Sequence, residues 1–564
     1  MSMMWHGVAR ACARTTPRAA PRAFAATPRS FATYNASRHF VRQPQSQSLF
    51  HTSQSRFQST ITAPALSNQS LKAIEQAARQ KNRDVEFPNF DRSNVKEGIV
   101  HIGVGGFHRA HLAVYIDSLM KEHGDRNWAI CGVGLQPFDA GMRDALVGQD
   151  CLYTLIERAE KGSSARVIGS INSFLFAPDG PTKVIDKMAH PDTKIVSMTI
   201  TESGYYYNEN THELEIEHPD IVADLKSDLQ SPRTTFGFLF AALEKRHAAG
   251  LKPFTVLSCD NMQKNGSITR HMLLSFARAR NAKIADWIEA QGQFPNSMVD
   301  RITPRTTDND KTALAETFGI QDSWPVVTEP FTQWVIEDSF ADGRPAFEKV
   351  GVQVVSNVHE VEKFECHKLR LLNASHSAVA YAAYLSGIEY VHEVFENPLY
   401  YKFIYNMMHK EVKPLMPAID GVDIDKYCDT LLERFANPTI MDQIGRLTIN
   451  GSGKLPQFIM PTIAEQIMAG THDFKRLVFV TATWFRFLNG KDEQGKPIFI
   501  DDPMVEDLQA RAIKGGAKPF PLLDVKSLFG DDLRGDKIFV EELTKAMEGL
   551  YRDGTMATLA KYVD

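Results

Sequence analysis

Lys368, Asn373 and His376 place a basic amine, an amide and an imidazole within nine residues. Such a set can take a proton from a hydroxyl and hold the alkoxide left behind, without a metal. The spacing allows it. On a regular helix Lys368 and Asn373 are i, i+5, about 140° apart, and Asn373 and His376 are i, i+3. All three can then face one pocket. The plain alternative is a solvated lysine beside a capping pair.

A second group is Gly103-Val104-Gly105-Gly106-Phe107-His108-Arg109. It follows an apolar run and precedes an amphipathic one, the setting of a dinucleotide-binding turn. Gly103, Gly105, Gly106 and Phe107 would bring backbone amides to a pyrophosphate. His108 occupies the place of the third glycine of GxGxxG, so a bland strand–turn–helix competes. Arg109 reads as a further phosphate contact or a solvated helix residue. Asp139 closes the segment after the second apolar run. A carboxylate there accepts hydrogen bonds from a ribose diol and repels a 2′-phosphate, which favours NAD over NADP. It lies 36 residues after Gly103, so a simple turn aspartate is the competing reading.

The elements that must carry these groups follow from periodicity. Gly98 to Ile102, Trp128 to Val133, Lys194 to Ile200 and Pro253 to Ser258 read as buried strands. The stretches between them are long enough for crossover helices, the pattern of an α/β parallel sheet. Leu112, Tyr115, Ile116 and Leu119 recur at i, i+3, i+4, i+7 and mark an amphipathic helix. Trp324 to Ile336 and Val350 to Val358 read as further strands. Lys72 to Arg83, Lys368 to Leu385, Leu399 to Lys410, Lys426 to Phe435 and Phe474 to Leu488 read as helices. A boundary near residue 358 therefore separates an α/β part (61–358) from a mostly helical part (359–564).

Composition narrows the partners. The 564 residues carry a net charge of −5 and no run of about 18 apolar residues. Neither a membrane-spanning helix nor a nucleic-acid surface is expected. Residues 1–74 hold eight arginines, one lysine and no acid, the composition of a mitochondrial transit segment. The expected extension covers 1–60, with processing near 57–62; a tail with no targeting role and a cytoplasmic protein are the alternative. Without 1–74 the body has 54 basic against 68 acidic residues, a balance of −14. An anionic ligand must then be held by local cations and helix ends. The six cysteines are scattered, and His367 and His376, nine apart, have no carboxylate or thiolate at ligand spacing except Cys366. No disulfide framework or catalytic metal is expected.

Lys368 to His376 and the Gly103 turn stand beside two further motifs, Val299-Asp300-Arg301-Ile302-Thr303-Pro304 and Ser258-Cys259-Asp260-Asn261. In this combination the chain, from about residue 60 onward, resembles the polyol-specific long-chain dehydrogenases, the mannitol dehydrogenase family. The resemblance implies a Rossmann-type domain followed by a largely α-helical domain, a nicotinamide cofactor, no metal and a monomer. It implies oxidation of D-mannitol to D-fructose, with D-arabinitol or fructuronate as alternatives. It assigns Lys368 as general base, Asn261 and Asn373 as oxyanion donors, and His376 as a substrate-positioning group. Asp300, Arg446 and Lys454 become polyol contacts and Glu365 a proton relay. Burial, with Arg446 and Lys454 nearby, is expected to lower the lysine from its ordinary value of about 10.4. A non-catalytic nucleotide-binding module is the rival from another class.

Overall fold

Ile99, Val100, His101 and Ile102 are all buried, as expected of a parallel strand covered on both faces. In the computed structural model, described over residues 63–208 and 211–564, this strand (β1) lies at the centre of a five-stranded sheet. The others are β2 (Ile130–Gly134), β3 (Ile171–Phe176), β4 (Ile195–Met198) and β5 (Thr255–Ser258). Every neighbouring pair is parallel and the order is β3-β2-β1-β4-β5. That is the Rossmann order, and its crevice opens where the connections from β1 and β4 diverge. The expected extension 1–60 lies outside the described residues.

The turn after β1 leads into a short helix, α1 (Gly106–Ala110), and then α2 (Leu112–His123). Leu112, Tyr115, Ile116 and Leu119 are all buried on α2. His111 breaks the path between the two helices (φ −124°, ψ −95°), and its Nε2 meets the Gln333 carbonyl oxygen at 2.9 Å. Between β4 and β5, α3 (Thr235–Ala248) buries Phe236, Phe238, Leu239 and Phe240 against the sheet.

A second sheet orders β8 (Gln353–Val355), β7 (Gln333–Glu337) and β6 (Ser297–Asp300). A third joins 85–86, 162–168, 153–159 and 326–328. The expected single strand from Trp324 to Ile336 is thus two strands in two sheets. Pro330 cannot donate to a ladder, and the preceding Glu329 turns into a buried ion cluster. The hairpin over 153–168 and the strands β3 and β6 carry too little alternation to stand out in the sequence.

No strand follows Val355 among the described residues. Helix α4 (Val358–His367) runs through a π-turn, Lys368–Asn373, into α5 (Ala374–Leu385). Helices α6 (Ile424–Ala436), α7 (Gly451–Phe458), α8 (Lys475–Phe487) and α9 (Lys537–Arg552) surround α5 or pack beyond it. Helix α5 buries nearly its whole circumference, which marks it as the core of this part. Ile61–Asp564 forms one compact unit. No helix among the described residues is long and apolar enough to cross a membrane.

Candidate active site

The glycine turn has a steric cause. Gly103 has φ +86°, and a Cβ there would lie 2.2 Å from the Thr199 carbonyl oxygen. The turn therefore packs directly on the chain leaving β4. Thr199 Oγ1 donates to the Gly103 carbonyl at 2.7 Å and meets His101 Nε2 at 3.1 Å; His101 Nδ1 meets Ser197 Oγ at 2.8 Å. Burial pushes His101 down to about 3, so it is neutral and acts as a fixed strut. Sequence reasoning missed this histidine; an imidazole inside an apolar strand was the available signal. Gly103→Ala is expected to weaken dinucleotide binding at least tenfold, measured by NADH fluorescence titration, with loss of folding as the extreme.

Gly105 is different. A Cβ there would meet nothing nearer than the Gly103 carbonyl oxygen at 3.9 Å. The space is open toward a cleft of about 930 Å³ formed by the ends of β1, β2 and β4. No side chain caps α1, so its first amides are available to an anion. Asp139 lines this cleft, and its Oδ2 also accepts the Gln136 amide at 2.9 Å. Asp139 thus closes a turn and also lines the cleft. These features fit a dinucleotide, with Gly103, Gly105, Gly106 and Phe107 against the phosphates and Asp139 near a ribose. Arg109 does not belong to the set. Its side chain is buried, donates to the Trp324 carbonyl and lies 5.3 Å from the Tyr153 ring centre. The chain needs it inside, so it is no phosphate contact.

The dinucleotide cleft shares Gly103, Gly105, Thr199 and Thr201 with a second cavity of about 490 Å³. Its walls bring Asn261, Asp300, Lys368, Asn373, His376 and Arg446 together. The π-turn does part of this work. Its i→i+5 closure stacks residues five apart, so Lys368 and Asn373 share a face.

Lys368 is 7% exposed. Its Nζ donates to Asn261 Oδ1 and to the Val299 carbonyl, the latter at 2.6 Å. A neutral amine has two N–H bonds and one lone pair. Two donated bonds use both hydrogens and leave the lone pair for a proton. Burial lowers the lysine, Asp300 opposes this, and Arg434 adds to it. The helping cation is therefore Arg434, not Arg446 or Lys454. Because Asn261 presents its oxygen to the amine, its NH₂ remains to donate elsewhere. His376 is pushed down to about 3 by burial, its Nε2 has no protein partner, and its ring packs 4.8 Å from Phe435.

The remaining expected residues are placed unequally. Asp300 lines the cavity, but Arg434 holds both of its oxygens. Arg446 is half-exposed and paired with Asp442 at 2.6 Å. Lys454 lines a smaller chamber of about 140 Å³ that shares Lys368 and Asn261 with the cavity, together with Glu365. Its Nζ donates to the Leu447 carbonyl at 3.2 Å, and burial, helped by Arg446, lowers it to about 8. Glu365 accepts the Lys264 amide at 3.1 Å, and burial pushes it up to about 7. A proton is then held more tightly in the folded chain than in the unfolded one. The stability this gives is full below about 4.3 and fades as pH rises through 7. Glu365→Gln is expected to lose less stability than the parent between pH 5 and 8, read from unfolding midpoints. Sequence reasoning missed Arg434, Glu329 and Asp442. Among the described residues no group of three or more His, Cys, Asp or Glu side chains is arranged to hold a metal.

Known proteins resemble this chain over most of its length. A family model for the mannitol dehydrogenase Rossmann domain matches residues 97–349, and one for the mannitol dehydrogenase C-terminal domain matches residues 360–551. The mannitol 2-dehydrogenase of Aspergillus terreus is 67% identical over 501 residues, covering 88% of this chain and 99% of its own. That of Pyricularia oryzae is 63% identical over 496 residues, covering 88% and 99%. The solved structure of Pseudomonas fluorescens mannitol 2-dehydrogenase, a ternary complex with NAD and D-mannitol, has a TM-score of 0.78 at 42% identity. It covers 88% of this chain and 99% of that one. A D-sorbitol dehydrogenase in substrate-free form has a TM-score of 0.77 at 35% identity, covering 84% and 97%. The chain belongs to the mannitol dehydrogenase family.

Proposed function

We propose that this chain oxidises D-mannitol to D-fructose, with NAD as hydride acceptor, Lys368 as general base and no metal. The observation that carries the reading is the Lys368 amine. It is buried, bonded to Asn261 and Val299, and set on the wall of a cavity continuous with the dinucleotide cleft. Family membership supports an oxidoreductase acting on a polyol.

A nicotinamide dinucleotide, when bound, supplies the site that accepts hydride. The chain's own residues do the rest. The Lys368 lone pair takes the hydroxyl proton. The amides of Asn261 and Asn373 donate to the oxygen as charge builds on it, and the alkoxide so held can release its hydride. His376 and Arg446 line the polyol's cavity and orient its hydroxyls. Glu365 and Lys454 line the smaller chamber beside the lysine, through which the proton leaves.

The test is initial NADH formation with D-mannitol, D-sorbitol and D-arabinitol, NAD against NADP, with and without EDTA. Fast turnover of mannitol with NAD, indifferent to EDTA, is expected. Preference for another polyol would move the substrate and keep the chemistry; inhibition by EDTA would sink the metal-free mechanism. Residues 1–74 carry a separate proposal, delivery to mitochondria, supported by eight arginines and no acid. Fusion of 1–74 to a fluorescent protein tests it, and a diffuse cytoplasmic signal would refute it.

A further inference from the structure

Asp300 ends β6 and Arg434 lies near the end of α6, yet both are buried and meet beside the cavity that Asp300 lines. Arg434 Nη1 donates to Asp300 Oδ2 at 2.8 Å and Nη2 to Oδ1 at 3.0 Å. The same guanidinium reaches Glu329: Nε to Oε2 at 2.9 Å and Nη2 to Oε1 at 2.8 Å. Its plane is backed by Phe331, 4.0 Å from the ring centre. The Ile302 amide adds a bond to Glu329 at 2.6 Å. One planar cation thus spans two carboxylates, which a lysine in its place could not do.

The consequence falls on Lys368. A carboxylate free to turn toward an amine holds it as ammonium. A carboxylate with both oxygens fixed by a guanidinium does so much less. We propose that Arg434 is a positioning residue for the reaction: it captures Asp300 and keeps that carboxylate from pairing with Lys368. This goes beyond a polyol contact at Asp300 and rests on the reading of Lys368 as base. The opposing effects of Asp300 and Arg434 on the lysine agree with it. Other titratable groups near the lysine are Glu365 just before it in the chain, Glu202, Asp260 and Lys454 on the smaller chamber, and the neutral His376 on the cavity wall. Arg301, next to Asp300, is occupied by Glu157.

The experiment is the pH profile of kcat/KM for mannitol oxidation, which should fall on the acid side as Lys368 takes a proton. Arg434→Gln is expected to move that limb upward by about one pH unit, and Asp300→Asn to move it downward. The double variant is expected to return toward the parent, because the Asp300 carboxylate that the loss of Arg434 would free is no longer there to turn toward the amine. Loss of packing alone would not give opposite signs or this rescue. If Arg434→Gln fails to fold, Asp300→Asn still decides, since Glu329 continues to balance Arg434; an unmoved or raised limb overturns the proposal. Shifts of the same sign in both single variants overturn it too. Lys368→Ala with parental turnover would instead remove the base reading on which it rests.

Discussion

Lys368→Ala is expected to lower kcat for mannitol oxidation by roughly 10²–10⁴-fold, the usual weight of a general base. Dinucleotide affinity should change little, because Lys368 does not line the cleft beside the glycine turn, where the dinucleotide is proposed to bind. The reasoning is geometric. Both N–H bonds of the neutral amine are directed at Asn261 and Val299. His376 on the same cavity wall is also buried with an unpartnered ring nitrogen, so basicity separates the two. His376 is held neutral and too weakly basic, at about 3, to keep the proton. The acid limb of the pH profile should vanish with the lysine. Small primary amines added to the variant should restore part of the rate. NADH titration together with steady-state kinetics measures both halves. Parental turnover, or loss of NADH binding in proportion to rate, would refute the assignment.

Legibility from sequence followed the range of the interactions. Strand β1 and helix α2 are local patterns, and their residues fell where periodicity places them. The Lys368, Asn373 and His376 set was legible as a motif, but not its geometry. A π-turn has no compositional mark, and it was the π-turn that brought Lys368 and Asn373 to one face. Arg109 shows the opposite failure. Next to a glycine turn it reads as a phosphate ligand, yet Trp324, 215 residues on, captures it. The Arg434 cluster depends on partners 105 and 134 residues away. A signal did exist: Arg434 sits at i+3 from Leu431 and beside Phe435 on the buried stripe of α6. A charge on an apolar stripe implies a buried partner, and Asp300 at the end of an all-buried strand was a candidate for it.

The largest effect on stability is expected far from the cavity, at Glu411→Ala. The segment Met407–Val412 is a second π-turn, where the sequence suggests a helix from Leu399 to Lys410. Its Glu411 is 1% exposed. The carboxylate accepts the Arg476 amide at 2.9 and 3.1 Å and the Leu477 amide at 3.0 Å. It also accepts Arg476 Nη1 at 2.9 Å. It is therefore the N-terminal cap of α8, supplied from another element, at the positive end of that helix's dipole. The other arm of Arg476 donates to the Val563 carbonyl at 3.1 Å, which also accepts Asn406 Nδ2 at 2.7 Å. Removing the carboxylate leaves a buried guanidinium and two helix amides unpaired. Breaking such a pair from one side typically costs about 3–5 kcal/mol. Glu411→Gln keeps one acceptor oxygen and should cost less, about 1–3 kcal/mol. Urea unfolding followed by tryptophan fluorescence measures both, since Trp484 lies on α8 itself. Turnover of the folded variants at 25 °C should be unchanged, because Glu411 lines neither the dinucleotide cleft nor the polyol cavity. Equal midpoints for parent and Glu411→Ala would mean that water replaces the cap at no cost, contrary to a carboxylate buried to 1%.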